Sequence, residues 1–119
     1  MARKSGGIKS LHEVREKGSL GRVVDRRPRP GVVVQADEMA PDLSTILICP
    51  VSSGLQDRLL LRPLIEAAPE NGLRLQSQIM TDKLVALRRD RIRRVIGRID
   101  AETSEKLDRA LLLVLGLAR

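Results

Sequence analysis

Apolar residues fall in short, turn-separated bursts along most of this chain, and in a clear helical stripe only near its end. Val32-Val33-Val34 opens one burst, and Thr45 to Val51, Thr-Ile-Leu-Ile-Cys-Pro-Val, forms a second. Continuous apolar runs of this length between turn signals predict buried strands. Ser52-Ser53-Gly54 ends the second run as a turn. Residues 58–66 read as a third strand, interrupted by Pro63; proline removes a ladder donor, which argues for an edge or a bulge. Pro69-Glu-Asn71-Gly72 is a turn signal. Residues 75–87 are strand-like, Arg88 to Arg94 predict a tight helical turn, and Val95 to Ile99 a short last strand. From Ala101 to Leu115 the period changes. Leu107, Leu111, Val114 and Leu115 share a helical face, Asp100 stands at the N-cap and Gly116 at the stop.

The front of the chain follows another pattern. Residues 1–7 form a polar, Gly-rich tail. Ser10 to Gly18 predict a short helix, because Ser10 and Glu13 have capping-box spacing, Leu11 and Val14 share a face, and Gly18 suits a stop. Asp25-Arg-Arg-Pro-Arg-Pro30 reads as a basic loop, and residues 37–44 as another. Strands followed by one amphipathic helix indicate a mainly β fold, a small barrel or curled sheet with a C-terminal helix packed on it. A length of 119 residues suits a single domain, 1–119.

Composition narrows the chemistry. The single cysteine, Cys49, excludes an intrachain disulfide, and with the single histidine, His12, it cannot build a His/Cys metal cage. No acidic cluster suggests a magnesium site, so no cofactor is expected. Phe, Tyr and Trp are absent, which excludes recognition of single strands by stacking bases on aromatic rings. The net charge is +7, and residues 1–30 supply +6 of it. Nucleic acid, an acidic protein or an anionic surface would suit that balance. No apolar run reaches the roughly eighteen residues of a membrane span, and no apolar stretch follows Arg3, Lys4 and Lys9 as in a secretory signal, so the expected compartment is the cytoplasm.

Five segments in order resemble the MazF/PemK family of toxins. They are Arg29-Pro30-Gly-Val-Val-Val-Gln35-Ala-Asp37; Ile48-Cys49-Pro50-Val51-Ser52-Ser53; Asn71-Gly72-Leu73 with Ser77; Arg91-Ile92 leading to Ile96-Gly97-Arg98-Ile99; and Ala110-Leu111 leading to Val114-Leu115-Gly116-Leu117. The likeness covers about residues 27–117. It implies an SH3-like barrel, a homodimer, metal-independent cleavage of single-stranded RNA at short sequences, and a cognate antitoxin with an acidic tail. The family opens with Arg-Gly-Asp/Glu and an aromatic-bearing strand, whereas this chain reads Ser5-Gly6-Gly7-Ile8-Lys9-Ser10 before a helix-like segment. The first barrel strand is therefore expected to be missing, replaced or disguised, with residues 1–26 divergent.

The resemblance places Arg29 and Ser52 at the family's catalytic positions. A fixed guanidinium can stabilise charge on a phosphorane, and a hydroxyl can donate to a phosphate oxygen. Arg is a poor general base, since its pKa exceeds about 12. Arg27, Gln35, Asp37, Ser53, Ser77 and Lys83 are the candidate RNA contacts, Ser53 as the neighbour that could take the role of Ser52, and Ser77 also as a structural hydroxyl. Cys49 sits in an apolar run and reads as core rather than nucleophile. His12 reads as an exposed helix residue. The run Arg88, Arg89, Arg91, Arg93, Arg94 and Arg98 suits RNA or an acidic partner, or a solvated face paired with Asp82 and Asp90. Two alternatives share this fold: a non-catalytic inhibitor like the CcdB toxins that poison DNA gyrase, and a basic RNA- or protein-binding module.

Overall fold

The computed structural model describes residues 9–15, 28–34 and 43–118. Among these residues the chain forms strands β1 (Ser10–Val14), β2 (Arg29–Val33), β3 (Thr45–Ser52), β4 (Leu64–Ile65), β5 (Ser77–Ile79), β6 (Val85–Arg88) and β7 (Ile92–Arg98). One helix follows, α1 (Ala101–Val114).

The second apolar burst becomes β3, the longest strand, and the sheet is organised around it. One edge pairs with β2, with Val32 opposite Cys49. The other edge is shared. Thr45 to Ile48 pair with β6, while Val51 and Ser52 pair with β5, which carries β4 beyond it. On the far side β2 pairs with β1, and β1 with β7, all antiparallel. Curling brings one face inward, where Leu11, Val32, Cys49, Val51, Ile65, Ile79, Ile99 and Leu107 form the core. Leu107 is the anchor of α1 and is fully buried. The core is built from aliphatic side chains and Cys49, as a chain without aromatic residues requires.

The helix begins where expected. The Asp100 carboxylate accepts from the Thr103 backbone N–H at 2.8 Å, which holds this carboxyl below the usual range. Gly116 takes φ +72° after the last turn. Leu107 and Ala110 are buried and Leu111 packs on the core, but Leu115 is 55% exposed, so the inward stripe ends a turn earlier than its periodicity suggests. Lys9 ties the helix to the start of β1, with its Nζ donating to Ser104 at 2.9 Å and lying 3.0 Å from Asp108.

The main correction lies at the front. Residues 10–14 are a strand rather than a helix, and of the three expectations for the first strand, missing, replaced or disguised, the last holds: it is present between β2 and β7. Leu11 and Val14, three apart, suggested a helical face. In the strand they point to opposite sides, and both sides are buried there. Leu11 joins the core, whereas Val14 packs beside Gly31 and Ile48. A Cβ at Gly31 would lie 2.7 Å from the Ile48 methyl and 2.9 Å from that of Val14, so glycine makes this packing possible. Ser10 caps nothing; its hydroxyl bonds the His12 ring at 2.9 Å. The proposed stop at Gly18 lies outside the described residues.

Four smaller boundaries also move. The stretch 58–66 contributes only Leu64–Ile65, because Leu61 and Arg62 close a turn onto the Arg58 carbonyl and Pro63 has no N–H to pair. Residues 75–87 divide into β5, a short 3-10 turn at Thr81–Lys83, and β6. The turn expected over 88–94 is confined to Arg89–Arg91, so β7 begins at Ile92. β2 likewise starts at Arg29, inside the segment read as a loop.

Candidate active site

An open groove of about 460 Å³ lies at the end of the sheet where β1, β2, β3 and β7 come together with the 69–77 connection. Strand register brings the two candidate catalytic residues together. The β2–β3 ladder ends with Gly31 opposite Pro50, and Arg29 and Ser52 each lie two residues beyond that pair on their own strand. Both border the groove. The Ser52 hydroxyl oxygen accepts from the Gly54 backbone N–H at 3.0 Å. Serine has one donor and two acceptor lone pairs, so this bond fixes the oxygen and leaves the hydroxyl proton to be donated. Ser53 is exposed and lines the same groove.

The opposite wall rests on the turn predicted at 69–72. Asn71 is 6% exposed and fills the turn: its Oδ1 accepts from the N–H groups of Ala68 and Leu73, and its Nδ2 donates to the Glu66 carbonyl. Gly72 takes φ +72°, and Gly97 of β7 lies so close that a Cβ there would come within 2.5 Å of the Asn71 backbone. This contact seats the turn on β7 and presents Leu73, Arg74 and Leu75 to the groove. Ser77 also lines it, but is buried and donates to the Leu75 carbonyl at 2.9 Å, which shapes the wall.

Three guanidinium groups, Arg29, Arg74 and Arg94, and one carboxylate, Glu13, line the groove among the described residues, so its balance is cationic. Glu13 and Arg94 form an ion pair at 3.1 Å, and this hydrogen bond raises the guanidinium's pKa. The sequence pattern singles out neither as a site residue, because Glu13 falls in a helix-like segment and Arg94 in a run of like residues. Within that run Arg88 and Arg91 lie beside Asp90, and Arg89 donates to the Leu43 carbonyl. Asp82 does not pair with the run. It takes a bidentate contact from Arg62, whose side chain is 6% exposed, and that hydrogen bonding holds the Asp82 carboxyl below the usual range.

Lys83 is exposed in the Thr81–Lys83 turn and is not part of the groove wall. Arg27, Gln35 and Asp37 lie outside the described residues. Cys49 is fully buried, and burial, with a smaller contribution from Asp82, pushes its thiol up to about 12, a value suited to core rather than nucleophile. His12 is half-buried on β1, where its ring meets Ser10 and the Arg93 carbonyl. Among the described residues no three His, Cys, Asp or Glu side chains gather as a metal site would need, and no helix is long and apolar enough to cross a membrane.

Fold and groove together define a small curled β-sheet protein with one C-terminal helix and a cationic cleft of a size and charge to hold a phosphodiester. The chain belongs to the family of PemK-like, MazF-like toxins of type II toxin–antitoxin systems, whose model matches residues 17–115. It is 34% identical over 92 residues to a probable endoribonuclease MazF from Mycolicibacterium smegmatis, across 77% of this chain and 84% of that relative. The fold is similar to that of the Mycobacterium tuberculosis toxin MazF-mt6, with a TM-score of 0.76 at 18% identity, covering 92% of this chain and 99% of that one. It is also similar to a mycobacterial endoribonuclease in complex with its cognate antitoxin, with a TM-score of 0.70 at 16% identity and 99% of each chain covered.

Proposed function

We propose that this toxin is an endoribonuclease that cleaves single-stranded RNA through attack of the ribose 2′-hydroxyl on the adjacent phosphodiester, without a metal ion. The observation that carries this reading is that Arg29 and Ser52, on the neighbouring strands β2 and β3, both line one cationic groove. Attack builds negative charge on the phosphorane oxygens. Arg29 supplies a preorganised charged donor for that charge, and Ser52, its oxygen fixed by the Gly54 N–H, supplies a neutral donor beside it. The products are a 2′,3′-cyclic phosphate and a 5′-hydroxyl. The M. smegmatis relative's designation as a probable endoribonuclease supports the reaction class.

The proposal extends to partners. An acidic antitoxin tail suits the same groove, and a second copy of the chain suits the exposed leucines of α1 and its exit, Leu112, Leu113, Leu115 and Leu117. Light scattering at tens of micromolar checks the homodimer. The decisive experiment is incubation of the purified protein with mixed-sequence RNA in EDTA, followed by mapping of ends. Cyclic phosphate termini at a recurring short sequence are expected. Strict dependence on magnesium, or cleavage of DNA instead, overturns the mechanism. Binding without cleavage would favour the RNA-binding module.

A further inference from the structure

We propose that Glu13 selects the RNA sequence, by accepting a hydrogen bond from the exocyclic amino group of one base held in the groove and by rejecting uracil at that position. The proposal rests on the RNA-cleavage reading for its substrate, but it assigns a role to a residue which that reading leaves unused.

Glu13 pairs with Pro30 in the β1–β2 register, and so projects to the inner side of the sheet with Leu11. It is the one carboxylate lining the groove among the described residues, and its side chain is 28% exposed. Beside its serines and arginines, the groove is also lined by the apolar Pro28, Pro30, Val51, Leu73 and Ile96. A planar base can lie between such walls where no aromatic ring is available. Arg94 holds the carboxylate at 3.1 Å. An ionised carboxylate offers about four lone-pair sites and no donor, so capacity remains for a base edge. That edge must donate. Adenine, cytosine and guanine each present an amino group on their pairing edge. Uracil presents two carbonyls flanking a single N–H, which sets its oxygens against the carboxylate's negative charge. A partly enclosed carboxylate therefore discriminates by repulsion as well as by attraction. Arg29 and Arg74 line the same groove and are suited to the phosphates, which leaves Glu13 to the base, so base and backbone recognition are separable.

The test measures binding, so that a failure of cleavage does not decide it. The intact protein is incubated with a randomised pool of 2′-O-methyl RNA, which lacks the attacking hydroxyl, and retained molecules are sequenced. One fixed position is expected to be depleted of uracil. Changing cytosine to uracil there should weaken binding about ten- to a hundredfold, the range for one good polar base contact. Glu13→Gln is the paired variant. An amide both accepts and donates, so it can meet a uracil carbonyl, and the depletion should vanish while the pool is still bound. Retained pool binding shows that the variant folds. Tolerance of uracil at every position by the unmodified protein overturns the proposal. So does depletion that survives Glu13→Gln. If the 2′-hydroxyl RNA is not cleaved but this pattern appears, the base-reading role stands and the catalytic reading falls.

Discussion

Gly72 and Gly116 take the same positive φ of +72°, yet Ala at the two positions should have very different consequences. An L-residue in the left-handed region costs about 1–2 kcal/mol, and Gly116→Ala isolates that cost because a Cβ there meets nothing within 4 Å. At Gly72 the added Cβ would stand 2.3 Å from the Ile96 carbonyl oxygen and 3.1 Å from its carbon. Both are backbone atoms, so no rotamer relieves the clash, and the turn must lift off β7. Lifting breaks the 2.9 Å bond from the Arg98 N–H to the Glu70 carbonyl and disturbs the contact between Gly97 and Asn71. A lost backbone bond costs about 0.5–1.5 kcal/mol. With the conformational cost and lost packing, Gly72→Ala should destabilise by about 3–5 kcal/mol, a large share of the roughly 5–15 kcal/mol of a typical domain. The chain has no Trp or Tyr to report unfolding by fluorescence, so urea denaturation followed by far-ultraviolet circular dichroism is the assay. Gly116→Ala should cost about 1 kcal/mol. If the two variants lose the same stability, the clash is absorbed locally and the turn is not seated on β7 as argued. Because Gly72 and Leu73 line the groove, RNA binding should weaken in the first variant alone.

Arg29→Ala should lower the single-turnover rate at saturating RNA by about 10²–10³, the usual loss for one preorganised donor, and Ser52→Ala by less because a neutral hydroxyl bonds more weakly. Equal losses for Arg29→Ala, Arg26→Ala and Arg27→Ala would instead indicate a diffuse basic patch. Cys49 should resist thiol reagents at pH 8 in the folded protein and react only on unfolding, since burial pushes its thiol up to about 12; prompt stoichiometric labelling would contradict that. Asp82→Asn should cost about 3 kcal/mol by leaving the buried Arg62 guanidinium unpaired, whereas Arg62→Met should cost less, because the Asp82 side chain keeps 23% exposure to water. The Asp82 carboxyl is lower in the folded state than in the unfolded chain. Its stabilisation is therefore present above the ordinary carboxylate value near 4 and lost as pH falls through the folded value, and acid titration of stability should be shallower in Arg62→Met.

The parts of the fold legible in the sequence were those whose pattern has one physical cause. β3 is a nearly continuous apolar run because both faces are enclosed at Ile48 and Cys49, although Leu47 stays exposed, and α1 carries its own cap, face and stop. β1 imitates a helix in sequence because Leu11 and Val14 are both buried for different reasons, one in the core and one against Gly31 and Ile48. Two burials on opposite faces of a strand imitate the spacing of one helical face, and a five-residue segment is too short for the periods to separate. The register shifts against β7, on either side of His12, add to the irregularity. The stretch 58–66 failed in another way. Its apolar Leu59 and Leu60 are exposed on a turn, so their hydrophobicity reports neither strand nor core.

The candidate site divides along the same line. Arg29 and Ser52 stand in local motifs, and their juxtaposition follows from β2 and β3 being neighbours, which two adjacent buried strands make the expected arrangement. Glu13 and Arg94 had no such route. They meet because the first and last strands of the described sheet pair with each other, a contact between the two ends of the sequence that no local spacing encodes. That pairing also brings the Glu13 carboxylate to the groove. Without β1 in place the groove would lose the one carboxylate among its described lining residues and keep Arg29, Arg74, Arg94 and its serines, a set suited to phosphate. The segment that departs most from the family's opening pattern is thus the one that brings an acceptor-only group into the groove, and a difference in base preference between this toxin and its relatives should trace to that strand.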